Sequence, residues 1–139
     1  MPYKGPSNSI LHRLWSKAVL GRDNRICQIC GRTGTIHAHH GIVRAGKSLG
    51  ARFIADNGIS LCYDCHFHGA HSGDNHGRMI LDRIEQWFIN RLGQKRYDEI
   101  KAIGSKPCKM DAEEREKLRE YLANYSEFVV GKRGFKTED

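Results

Sequence analysis

A chain of 139 residues, 39% apolar and 28% charged, has room for one domain and none for a second catalytic one. At that size roughly two-thirds of the unfolded surface can be buried, which is enough for a modest core. The polar start MPYKGPSNSI lacks the apolar stretch of a signal peptide, and no run approaches the roughly 18 apolar residues of a membrane span. The chain therefore reads as soluble and cytoplasmic, with no membrane partner.

In chain order, residues 9–20 put Leu11, Leu14, Trp15 and Ala18 on one helical stripe, with Ser9 as the expected N-cap and Gly21 as the stop. Residues 24–34 are polar and turn-rich. Residues 35–40 suit a short strand, and residues 41–53, GIVRAGKSLGARF, read as an irregular basic loop. A strand returning over 59–62 leads to HFHGAH at 66–71, read as the opening of a short helix. Ile80, Ile84, Trp87, Phe88 and Leu92 then mark a helix closed by Gly93, while Tyr97, Ile100 and Ile103 mark a shorter one. After a linker at 104–109, Asp111 and Glu114 form a capping-box variant before a helix bearing Leu118, Tyr121, Leu122 and Tyr125. These stripes are core contacts. The expected division is an N-terminal helical arm (1–23), a core (24–75), a helical extension (76–126) and a flexible tail (127–139).

The charge is unevenly placed. Nine Lys/Arg and two acidic residues lie in positions 1–56, and fourteen of each in 57–139, so the whole net charge of +7 sits in the first part. Such a surplus favours a polyanion through phosphate contacts and counterion release, although a solubilising surface has the same composition.

Cys27 and Cys30 form one CxxC pair and Cys62 and Cys65 a second, while Cys108 is left over. In a reducing compartment, two matched pairs argue for a metal rather than disulfides or a redox dithiol. Four thiolates complete a tetrahedral zinc with no open position, so the site is structural. Seven of the eight histidines fall between His37 and His76, around the second half of this framework. Histidines beside a rigid metal knuckle invite a second, open metal site or acid/base work.

The stretch from Cys27 and Cys30 through HAHH at 37–40 to NGISLC at 57–62 and YDCH at 63–66 resembles the HNH endonucleases. The likeness is to the phage-type subgroup in which a ββα-metal unit is braced by two CxxC pairs, and it covers about residues 24–72. It implies an α+β fold: a small ββα-metal unit with a four-cysteine zinc, flanked by an N-terminal helix and two or three C-terminal helices. By position, His40 corresponds to the family's general base and His39 to a catalytic-metal ligand. Many members carry Asp there, and the histidine is similar to the variant of the colicin nucleases. Asn57 matches the residue that ties the loop backbone together, and His66 a second metal ligand. For a third ligand His71 ranks ahead of His68, although a five-residue step from His66 is about 140° off one α-helical face.

The resemblance implies hydrolysis of DNA, double-stranded in the first instance, by a neutral His40 and a divalent cation (Mg, Mn, Ni or Zn) that offsets charge on the phosphate and the departing 3′ oxygen. Arg44, Lys47 and Arg52 in the glycine-rich loop are the expected phosphate contacts. A non-catalytic zinc module that binds nucleic acid and an RNA nuclease remain alternatives. Both a monomer and a dimer fit the sequence, as do a cytoplasmic protein and a phage-encoded one in the host cytoplasm.

Overall fold

The computed structural model describes the backbone of residues 3–137 and the side chains of residues 3–125. The order of elements is α1 (Asn8–Arg22), β1 (Ile36–His40), α2 (Leu49–Arg52), a 3-10 turn (Ala55–Asn57), β2 (Gly58–Cys62), α3 (Tyr63–Cys65), a π-turn (His66–Ala70), α4 (Asn75–Leu92), α5 (Gln94–Gly104) and α6 (Ala112–Thr137). This is a small α+β fold whose sheet, among the described residues, is the antiparallel pair β1–β2. No helix among them is long and apolar enough to cross a membrane. The expected tail at 127–139 lies outside the residues whose side chains are described; the backbone of α6 runs to Thr137.

Side chains alternate across a strand, so the pair has two distinct faces. Cross-strand partners His37 and Leu61, and His39 and Ile59, share one face. On that side Ile59 and Leu61 cluster with Ile80, Ile84 and Phe88 of α4. Ala38, His40, Gly58 and Ser60 share the other, where α1 packs through Leu11, Trp15, Ala18 and Val19 together with Phe53 and Leu122. The approach of α1 is close enough that a Cβ on Gly58 would stand 2.3 Å from Val19 Cγ2. A third cluster, Val43, Ala51 and Ile100, seats the loop on α5.

The helices expected from periodicity are present, with four local differences. The α1 cap is Ser7, whose hydroxyl accepts from Ile10 N at 3.3 Å, and Ser9 lies inside the helix. Gly21 is also helical, and the helix ends at Asp23, which Arg22 grips from the side. The 41–53 loop contains the turn α2, because Ala51 and Phe53 are buried and draw the chain inward. The capping box is formed as expected, with Glu114 N donating to Asp111 Oδ1 at 2.8 Å. Tyr121, assigned to the α6 stripe, is 54% exposed.

Candidate metal centre and cleft

The sheet joins the two CxxC pairs. Cys27 precedes β1 and Cys62 ends β2, and the Sγ atoms of Cys27, Cys30, Cys62 and Cys65 all lie within 4.8 Å of one another. The Cys30 and Cys62 sulfurs are 3.5 Å apart, close to the roughly 3.8 Å between two thiolates on a tetrahedral zinc. Burial pushes the Cys27 thiol up, but N–H groups of Cys30, Cys62 and Ile29 outweigh it and bring its pKa to about 7. Burial and the neighbouring thiols push Cys65 up instead. Four sulfurs so placed cannot all ionise without a cation, and the donor set suits zinc.

His39, His66 and His71 form a second cluster, each offering a nitrogen within 4.8 Å of the others. Their assembly depends on the π-turn. In an α-helix His66 and His71 would diverge, but here His71 N donates to His66 O at 3.1 Å across five residues, which adds one residue to the turn and returns both rings to one face. Their Nε2 atoms stand 3.1 Å apart. The turn presses on α4: a Cβ on Gly77 would meet Gly69 O at 2.7 Å, so this approach requires glycine at 77. His68 stays outside, its ring against Tyr63.

Burial, then the neighbouring rings of His66, His71 and His40, lowers the His39 pKa to about 3. Burial followed by His71 and His37 lowers His66 to about 4. Neutral imidazoles offer lone pairs, and two nitrogens each about 2.1 Å from one ion at roughly a right angle sit about 3 Å apart. His66 and His71 meet that distance. An all-imidazole set suits zinc or nickel better than magnesium.

His40 points to the opposite side of β1, toward α1. Its ring lies flat on Trp15, with centroids 3.9 Å apart and planes at 8°. His40 Nε2 is 2.9 Å from Arg52 O, and since a carbonyl only accepts, Nε2 carries the proton and Nδ1 the lone pair. Burial is the main cause that lowers its pKa to about 4, with His12 and Arg52 adding to the effect and the Arg52 carbonyl opposing it.

The loop that carries Arg52 is held in turn by Asn57, which is fully buried. Asn57 Oδ1 accepts from Ile42 N at 3.0 Å and Val43 N at 2.8 Å, while Nδ2 donates to Val43 O at 2.9 Å and Ala51 O at 3.2 Å. All four hydrogen-bonding capacities of the amide are used, and the loop is pinned at both ends.

Both arrangements open on one cleft of about 740 Å³ along the free edge of β1, lined by His37, His39, His40, His66 and His71 among others. No carboxylate among the described residues lines it. Of the three expected cations only Arg44 does; Arg52 lies behind His40 with its guanidinium 5.4 Å over Phe53, and Lys47 is exposed outside the cleft.

Two features were not legible in the sequence. His12, the one histidine outside the cluster, lines the cleft and stacks on His40 with centroids 5.8 Å apart. Its i, i+4 relation to Ser16 was visible, but nothing indicated what α1 would face. Arg22 and Asp23 form a buried ion pair that ties α1 to β2: Arg22 donates to Ala55 O at 3.0 Å and Gly58 O at 2.7 Å, and Asp23 Oδ2 accepts from Ser60 N at 3.0 Å. No family model, curated protein or solved structure matches the chain.

Proposed function

We propose that this protein is a metal-dependent endonuclease of the HNH type, acting on DNA phosphodiester bonds. The observation that carries the reading is the cleft itself: an unligated imidazole of defined tautomer opens on the same acid-free space as a three-histidine cluster. A binding module has no need of this juxtaposition.

A divalent cation held by His39, His66 and His71 would supply positive charge for the scissile phosphate and the departing 3′ oxygen. The remaining work falls to the chain. His40 accepts at Nδ1 the proton that a water loses as its oxygen bonds to phosphorus and the P–O3′ bond breaks. Its low pKa keeps the base free near neutral pH. Nε2–H stays bonded to Arg52 O throughout, and the indole face of Trp15 both fixes the ring plane and favours the imidazolium that forms. Asn57 pins the loop through Ile42, Val43 and Ala51, the neighbour of Arg52, and Arg44 contacts the phosphate backbone without reading sequence.

The test is cleavage of plasmid by zinc-loaded protein with Mg, Mn, Ni or Co. Wild type nicks or cuts in at least one of them, and His40→Ala loses about 10²–10⁴-fold in rate while retaining fold, zinc and DNA binding. Equal rates refute the assignment of His40. DNA binding without cleavage in any metal supports a non-catalytic zinc module, and cleavage confined to RNA redirects the substrate.

A further inference from the structure

The α1 wall of the cleft has a chemistry of its own. His12 and Ser16, one helical turn apart, both line the cleft on the side of His40 away from the three-histidine cluster. Neither ring nitrogen of His12 has a hydrogen-bond partner among the described residues, and its only ring contacts are Trp15 and His40. Behind them the Arg52 guanidinium makes no ion pair or hydrogen bond among the described residues, and its Nε is buried without a partner there. Arg52 is close enough to help burial lower the His12 pKa. An imidazole N–H and a hydroxyl thus face the cleft where no carboxylate among the described residues answers them, with a guanidinium behind, and groups so placed favour an anion with several acceptor oxygens.

We propose that His12 and Ser16, with the Arg52 charge behind them, form a phosphodiester-binding subsite that grips a backbone phosphate neighbouring the one presented to His40. The inference rests on the nucleic-acid reading and adds to it a wall from α1, outside the stretch that carries the family resemblance. The subsite sets where the strand runs: between α1 and the edge of β1, entering on the His12 side of His40. His12 acts there as a neutral donor, so its contribution is one hydrogen bond to a charged acceptor, whereas Arg52 contributes a charge.

The experiment measures fluorescence anisotropy of a labelled 20-base-pair duplex on zinc-loaded protein without added divalent cation, over a range of salt. His12→Ala is expected to weaken binding about tenfold with the salt slope unchanged. His12→Gln, which keeps an N–H donor, restores most of the loss, and Arg52→Gln flattens the log–log salt slope by about one unit. Wild-type affinity in His12→Ala overturns the subsite. So does failure of His12→Gln to restore binding, because the ring then acts through its stack on His40. An unchanged slope in Arg52→Gln removes Arg52 and overturns the subsite as drawn. The readout is independent of cleavage: a wild type that binds but never cuts defeats the nuclease and leaves the subsite standing, whereas one that cuts but is insensitive to His12→Ala does the reverse.

Discussion

Replacing Asn57 by alanine tests the brace on which the cleft depends. The substitution removes four hydrogen bonds in the interior and strands the N–H groups of Ile42 and Val43 and the carbonyls of Val43 and Ala51. At a net value of about 1 kcal/mol each the loss is about 4 kcal/mol, and some relaxation of the loop toward water brings the expectation to about 3–4 kcal/mol. That is a large part of the roughly 5–15 kcal/mol stability of a domain. In urea, with a slope of about 2 kcal/mol per molar, the midpoint of zinc-loaded protein falls by about 1.5–2 M with the slope unchanged. Asn57→Asp is the sharper control: it keeps the shape and both acceptors but turns a carboxylate oxygen on the two carbonyls that Nδ2 now serves, so it is no more stable than alanine. A loss below about 1 kcal/mol in Asn57→Ala, or wild-type stability in Asn57→Asp, refutes the claim that this amide holds the loop.

Two further perturbations probe parts that the reading of motifs passed over or left unranked. Asp23→Ala leaves the Arg22 guanidinium buried without its carboxylate and is expected to destabilise by about 3–5 kcal/mol in denaturant titration, far more than an exposed ion pair such as Arg32–Asp64. In metal-free protein burial lowers the pKa values of His39, His40 and His66 to about 3, 4 and 4, below the 6.5 of a free imidazole. The unfolded chain therefore binds more protons between pH 6.5 and about 3. Stability is fully present above pH 6.5 and declines as pH falls through that window, which thermal melts across pH will register as a falling midpoint. A midpoint flat from pH 7 to 4 contradicts the burial of these rings.

Much of the architecture was legible because it is local. Two-residue spacing within each cysteine pair, apolar residues at helical intervals in α1, α4, α5 and α6, and the Asp111–Glu114 cap each depend on neighbours within a turn or two of chain. The place of Asn57 was also legible through the motif around it, and its four bonds to the loop agree with that role. The helix boundary at Ser7 was missed because Ser7 and Ser9 are chemically equivalent caps, and only the packing of Leu11 and Trp15 decides which one sits at the end.

The sequence by itself determined which groups were available: four thiols for one metal, a run of imidazoles, a basic first part and the helices to enclose them. Tertiary structure alone decided how those groups meet. Whether His71 joins His66 turns on a single extra residue in one turn, settled by Gly69 fitting against Gly77 and Ile80. Whether His12 reaches His40 turns on how α1 lies across the sheet, settled by Trp15 over Gly58 and by the buried Arg22–Asp23 pair. Such contacts join residues far apart in the chain, and their energies come from burial and close packing that no short window of sequence contains.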